Sequence, residues 1–275
     1  MSDSNFLADV RIVTMAQYVP GPLAVARLHE AGARVTKIEP PSGDPLRQVA
    51  PTWYDDLHTG IDVEQLDLKA ESGRARAMEL VASADLLITS QRPSRLSRLG
   101  FDAGALLARF PRLRILRIVG STREPEGAGH DLTYQAQAGF LGDEMPRTLV
   151  ADVVGAERIF GAALALLMQQ PGATIDVGLV ESLDGLVAPV RHHLTTRDGP
   201  LGGRAPHYRV YAAKTGRVAV AALEPHFEKA LYEQLGLAPR SDLTARMRER
   251  TAEEWEAWAR ERDLPLVAVN DTLAR

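Results

Sequence analysis

Short apolar runs alternate with segments of helical period through the first two thirds of the chain, and few folds accept that alternation. Runs at residues 10–15, 34–38, 86–89 and 115–119 read as strands. Helices fall between them: residues 23–31 follow the Pro20-Gly21-Pro22 turn and stop before Gly32, and residues 74–82 precede Asp85. Parallel strands joined by crossover helices make a doubly wound α/β sheet, whose ligands lie at the carboxyl ends of the strands. With 275 residues, 45% of them hydrophobic, the chain has material for a large core and for a second, smaller one.

Residues 156–168 are strongly apolar and fit a buried helix that starts just after Asp152. That carboxylate is then expected in the turn entering a helix N-terminus, where the dipole favours an anion. Residues 173–177 read as a strand and 179–186 as a helix, and Asp176 and Glu181 read as capping or solvated carboxylates. Beyond Leu201-Gly202-Gly203 the texture changes to a strand at 208–212, a Lys214-Thr215-Gly216 hairpin turn and a strand at 217–222. Helices at 225–235 and 252–262 follow, with Trp255 and Trp258 as packing residues. The Arg197-Asp198-Gly199-Pro200 stretch marks the division expected between an α/β large domain, residues 1–198, and a small α+β domain, residues 199–275.

Composition removes several classes of function. The chain has no cysteine, which excludes disulfides, thiolate metal ligands and cysteine nucleophiles. A net charge of −4 gives no global basic field, so nucleic acid is not the expected partner. Met1-Ser2-Asp3-Ser4-Asn5 lacks the basic start and apolar stretch of a signal peptide, and no apolar run reaches about 18 residues. The expected setting is therefore the cytoplasm, away from membranes. No Gly-x-Gly-x-x-Gly follows the first strand, no phosphate-loop Lys-Ser/Thr occurs, and a Gly-x-Ser-x-Gly elbow is missing. Adjacent His192 and His193 would point about 100° apart on a helix, a poor arrangement for one metal, so no metal is expected.

Three stretches carry chemistry: Gly129-His130-Asp131-Leu132-Thr133-Tyr134, Val150-Ala151-Asp152, and Ala222-Leu223-Glu224-Pro225-His226-Phe227. They offer one imidazole and two carboxylates beside small or apolar residues that can hold them in a partly dry site. Each also has a plainer reading. His130 can cap a helix, Asp152 can cap the helix that follows it, and Glu224 before Pro225 resembles an acid at a helix N-terminus.

The order of these stretches, with the text around them, resembles the family III CoA-transferases of the CaiB/BaiF type, and within them the α-methylacyl-CoA racemases. Pro20-Gly21-Pro22, residues 32–47 from Gly32-Ala33-Arg34 to Asp44-Pro45-Leu46-Arg47, and Leu66-Asp67-Leu68-Lys69 are similar to the family's N-terminal CoA-binding segment. Ala84-Asp85-Leu86-Leu87-Ile88, Arg92-Pro93 and Arg98-Leu99-Gly100-Phe101 are similar to its next signature. Gly129-His130-Asp131 with Tyr134, and Ala222-Leu223-Glu224-Pro225 with Phe227, point to the racemase branch.

The resemblance implies a Rossmann-like large domain with a small α+β domain, a shortened C-terminal part, and a homodimer whose subunits interlock in the family. His130 and Glu224 would form a hydrogen-bonded pair on one side of a thioester's α-carbon and Asp152 would lie on the other. The implied activity is epimerisation of a 2-methylacyl-CoA by 1,1-proton transfer, with no cofactor beyond the CoA of the substrate and with the helix N-terminus steadying the enolate oxygen. In the transferases the aspartate at the position of Asp152 is instead a nucleophile, and a non-catalytic CoA-binding homologue is a third alternative. Matched positions that would meet CoA are Lys37, Arg47, Leu68, Lys69, Arg92, Arg95, Gly129, Asp131 and Tyr134. The chain departs from the family where Val153-Val154-Gly155 stands for a glycine-rich run, where Thr59-Gly60-Ile61-Asp62 replaces a basic segment, and where Ser94 replaces glycine.

Overall fold

The alternation builds one six-stranded parallel sheet in the computed structural model, which describes residues 5–270. Its strands are β1 (Arg11–Thr14), β2 (Arg34–Glu39), β3 (Asp62–Gln65), β4 (Leu86–Thr89), β5 (Arg114–Val119) and β6 (Thr174–Gly178). They stand in the order β3-β2-β1-β4-β5-β6, so the winding reverses between β1 and β4. Side chains alternate across the sheet with the two-residue period of a strand. Ile12, Leu86, Ile88, Leu116 and Ile118 enter one core, and Val13, Leu87 and Ile115 enter the other.

The first core is closed by two helices, Pro20–Glu30 and Val150–Leu167. Ala24, Val25 and Leu28 of one helix share it with Ala151, Ala156, Ile159, Ala163 and Leu166 of the other. The second core takes Ala77 and Val81 from the helix Glu71–Ala82, together with Phe101 and Leu106. Each of these large aliphatic side chains stabilises the fold by roughly 1.5–3 kcal/mol through burial.

Several boundaries differ from the sequence expectation for identifiable reasons. The helix expected at 23–31 starts at Pro20, because proline lacks only an N–H that the first turn would leave unpaired. The helix expected at 156–168 starts at Val150, so Asp152 lies inside its first turn rather than before it. The segment expected as one helix at 179–186 breaks at Leu183 into Leu179–Ser182 and Asp184–Arg191. Strand β3 carried no signal because it is an edge strand with mostly exposed, polar side chains. Asp176 pairs with Arg117 through two contacts of 2.7 and 2.8 Å, and Glu181 accepts from Ser121 Oγ at 2.6 Å.

The chain divides after Val187, and Arg197-Asp198-Gly199-Pro200 lies within the second unit. That unit holds an antiparallel sheet of β7 (Tyr208–Ala212), β8 (Arg217–Ala221) and β9 (Leu266–Ala268), with the helices Pro225–Leu235 and Ala252–Arg260. Thr251 caps the second helix reciprocally with Glu254. Trp255 is fully buried, donates to the Met247 carbonyl at 2.8 Å and meets Trp258 edge-on at 5.2 Å between centroids.

Two glycines of the Asp152 helix make opposite demands. A Cβ at Gly155 would overlap the Leu179 side chain, whereas one at Gly161 would meet nothing within 4 Å. Gly161→Ala is therefore expected to stabilise the protein by about 0.5–1 kcal/mol through helix propensity and reduced unfolded-state freedom. Gly155→Ala is expected to destabilise it despite the same propensity gain. Urea denaturation of the two variants checks the difference in sign.

Candidate functional site

The loops after β1, β4 and β5 enclose a cleft of ≈ 420 Å³, beside the point where the strand order reverses. Gln17 and Tyr18 come from the first loop, Ser90 to Arg95 from the second and its helix, and Gly120, Gly129, His130 and Tyr134 from the third. Asp152 and Leu179 complete the lining. His130 and Asp152 thus share one cleft, although they lie far apart in the chain.

His130 is the N-cap residue of the helix Asp131–Ala138. Thr133 fixes its backbone twice, accepting from the His130 N–H at 3.0 Å and donating to its carbonyl at 2.8 Å. The imidazole is exposed toward the cleft and meets the Tyr18 ring edge-on at 5.3 Å. Tyr134 is buried beneath, packed against Gly120 and Gly129, where a Cβ on either glycine would press into its ring. Burial, and then the Asp152 carboxylate, raise the Tyr134 phenol above its usual range, while Arg92 opposes them.

Asp152 sits in the first turn of its helix, where a backbone N–H has no intrahelical acceptor. The buried Asp131 carboxylate supplies one: Oδ1 accepts from the Asp152 N–H at 3.0 Å, and Oδ2 accepts from Gln135 Nε2 at 2.6 Å. Burial, followed by repulsion from this neighbouring carboxylate, raises the Asp152 carboxyl from 3.8 to about 7. The helix dipole expected to depress it is outweighed. Val150 donates to the Thr148 carbonyl at 3.1 Å and Val153 to Leu149 at 2.9 Å, so most of the first-turn amides expected for an enolate oxygen are already engaged.

A second cleft of ≈ 700 Å³ adjoins the first and shares Gln91, Arg95 and Arg98 with it. Pro40, Pro41, Leu66, Leu68 and Lys69 line its far side. The exposed helix face that carries Arg95 and Arg98 therefore borders both clefts, with Arg92 bordering the first. Arg98 was not among the residues expected to meet a ligand, although its three-residue spacing from Arg95 puts both on one helix face.

Two expected ligand positions are buried in other roles, and a third is exposed away from both clefts. Lys37 is fully buried, with Nζ 2.6 Å from Asp44 Oδ2, 3.0 Å from Glu39 Oε1 and 2.8 Å from His58 Nε2. His58 donates from Nδ1 to the Tyr54 carbonyl at 2.6 Å, and burial followed by the lysine charge lowers its pKa, so a neutral ring accepts from Lys37. This cation is committed to the fold and faces no cleft. Arg47 stacks over the Tyr54 ring at 4.7 Å and lines neither cleft. Asp131 is an internal helix clamp rather than a surface contact, as described above. Glu224 belongs to the second unit, where it is the exposed N-cap residue of the helix Pro225–Leu235.

Two measurements test these assignments. Removing the cation in Lys37→Met leaves Glu39 and Asp44 buried without their partner, and a loss of about 3–5 kcal/mol is expected in urea denaturation. Arg76→Ala, which breaks exposed pairs to Glu64 and Glu79, is expected to leave the midpoint nearly unchanged. For Asp152, a folded pKa above the unfolded one means that the native state holds the proton more tightly, so its contribution to stability falls as pH rises from about 4 to about 7. Asp152→Asn removes that penalty. The variant is expected to gain about 2–4 kcal/mol over the parent at pH 8 and nothing near pH 4, read from urea midpoints at both values.

Comparison with known proteins agrees with this architecture. A CaiB/BaiF CoA-transferase family protein of Caenorhabditis elegans is 27% identical over 286 residues, covering 91% of this chain and 82% of that one. The acetyl-CoA:oxalate CoA-transferase of Acetobacter aceti is 29% identical over 82% of this chain, and the alpha-methylacyl-CoA racemase of Homo sapiens is 28% identical over 84%. This chain spans 65% of the length of each of those two enzymes. A crystal structure of a hypothetical protein from Mycobacterium tuberculosis shares the fold with a TM-score of 0.83 at 22% identity, over 96% of this chain and 84% of that one. Residues 7–274 match the sequence profile of the CoA-transferase family III, and the chain belongs to that family.

Proposed function

We propose that the protein is an acyl-CoA enzyme that epimerises the α-carbon of a 2-methylacyl-CoA by 1,1-proton transfer. The observation that carries this reading is the shared lining of one cleft by His130 and Asp152, at the carboxyl ends of β1, β4 and β5. Racemisation needs one group to take the α-proton and a second to return a proton to the other face of the planar enolate. A carboxyl held at about 7 is populated in both forms near neutral pH and therefore serves either direction. His130 supplies the partner group: as base it takes the proton while protonated Asp152 returns one, and the roles reverse for the opposite epimer.

The substrate's CoA carries three phosphates, and planar guanidinium groups suit them. In this reading Arg92, Arg95 and Arg98, with Lys69 and Leu68 in the adjoining cleft, hold the nucleotide end, and no cofactor beyond the substrate's CoA is required. Lys37 and Arg47 take no part. Glu224 as a partner for His130, and a homodimeric assembly, follow from likeness to the family and belong to the same proposal.

The CoA-transferases among the relatives support a second chemistry, acyl transfer, in which likeness to the family makes Asp152 the nucleophile. A carboxyl at about 7 is still ionised for about half of its time at neutral pH, so its titration does not separate the two chemistries. His130 in the same cleft is what favours proton transfer, since acyl transfer through a carboxylate requires no imidazole.

Proton NMR in D₂O with (S)-2-methylacyl-CoA decides between them. The expected result is exchange of the α-hydrogen with formation of both epimers, reduced about 10²–10⁴-fold in Asp152→Ala and in His130→Ala with little change in CoA affinity. Absence of exchange, with an acyl-enzyme trapped by hydroxylamine, would assign the transferase reaction instead. Lys69→Ala is expected to raise KM with kcat nearly unchanged, because ground and transition states share a phosphate contact.

A further inference from the structure

The segment after β1 is held more firmly than an ordinary loop. The Ala16 N–H donates to Thr14 Oγ1 at 3.1 Å, the Gln17 N–H to Ser90 Oγ at 3.1 Å, and the Tyr18 N–H to Asp44 Oδ1 at 3.0 Å. Gln17 Nε2 also reaches the Gly43 carbonyl at 3.3 Å. Tyr18 has a φ of 65°, a left-handed conformation that a residue with a Cβ adopts only when its surroundings impose it. The imposing group is Asp44, whose Oδ1 takes the Tyr18 N–H and whose Oδ2 is locked by buried Lys37.

The conformation has a consequence at the cleft. The Tyr18 ring meets the His130 ring at 5.3 Å and 71°, an edge-to-face contact of the kind aromatic quadrupoles favour. His130 has its backbone fixed by Thr133, which leaves its side-chain torsions to be set by what the ring touches. A neutral aromatic neighbour suits a group that must gain and lose a proton. It directs the ring without adding a charge that would hold one protonation state.

We infer that Tyr18 is a positioning residue for His130, and that the buried Lys37–Asp44 pair acts on the site through it. The inference rests on the proton-transfer role proposed for His130. It gives the lysine expected to bind CoA a different connection to the reaction, running from Lys37 to Asp44, to the Tyr18 backbone, and through the Tyr18 ring to the imidazole. An error in ring direction is costly to proton transfer, because reacting atoms must meet within hydrogen-bond reach.

The test uses Tyr18→Leu and Tyr18→Phe in the full chain, with two readouts. In protein carrying ¹³C-labelled histidine, the C–H signals of His130, identified among the seven histidines by His130→Gln, carry a ring-current shift from Tyr18. Tyr18→Leu is expected to abolish that shift and lower kcat for α-hydrogen exchange about 10-fold with KM within about twofold. Tyr18→Phe is expected to keep both near the parent values, since the ring and not the hydroxyl does the positioning. Asp44→Asn, which keeps an acceptor for the Tyr18 N–H but loses the charge that Lys37 holds, is expected to fall between them. Unmoved His130 signals in Tyr18→Leu, or an unchanged kcat in a protein that does exchange the α-hydrogen, would overturn this inference alone. Absence of exchange in the unmutated protein would overturn the functional reading and this one with it, whatever the NMR signals do.

Discussion

Asp131 ties the candidate site to the fold. Its buried carboxylate joins the first turns of two helices, because it belongs to the helix that His130 caps and accepts the unpaired N–H of Asp152 at the start of the next. A helix N-terminus ordinarily depresses a carboxyl in its first turn. Here the acceptor that satisfies the orphan amide is itself a negative charge, and it stands in a buried setting beside the carboxyl it supports. Satisfying the backbone and adding to the rise of Asp152, which burial drives first, are therefore two effects of one contact. Residue Gln135, on the same helix as Asp131, neutralises none of that charge, since an amide only donates to it.

That arrangement bears on the two chemistries named among the relatives, CoA transfer and racemisation. Acyl transfer uses the carboxylate as a nucleophile, whereas 1,1-proton transfer uses a carboxyl that holds and releases a proton at the working pH. Desolvation under the two helices and the Asp131 charge raise Asp152 to a range where both forms are populated at neutral pH. The glycine that remains after Asp152, Gly155, is used for packing against Leu179.

The parallel sheet was legible because central strands are buried on both faces and leave continuous apolar runs, as at residues 86–89 and 115–119. Edge strand β3 and the short strand β9 were not, since one is mostly polar and exposed and the other spans only three residues. In the candidate site, His130 and Asp152 stand out in the sequence because chemistry-bearing residue types are rare in apolar text and the family's order of motifs frames them, and both line one cleft. Tyr18 was invisible: a left-handed backbone at a non-glycine residue follows from Asp44 and Lys37, which are distant in sequence, and no local pattern encodes it. The side-chain partner of a charge is equally hidden: nothing in the sequence around Lys37 or Asp131 shows that the one meets Asp44 and the other the Asp152 N–H.

Lys37 makes the physical lesson concrete. Sequence reasoning treats each cation near a suspected phosphate site as available, but a lysine buried within β2, which is paired on both sides, faces a different choice. Left unpaired there, it would bear the full cost of desolvation. With two carboxylates and a neutral imidazole around it, it becomes a rigid cross-link among β2, the loop that carries Asp44 and His58, which closes the helix Pro51–Leu57. Buried charge of this kind gives little net stability and a great deal of geometric definition. The definition is passed on through Asp44 to the loop that lines the cleft, while the arginines on the exposed helix face border both clefts. Burial, more than charge or motif, decides which cations structure the site and which can bind at it.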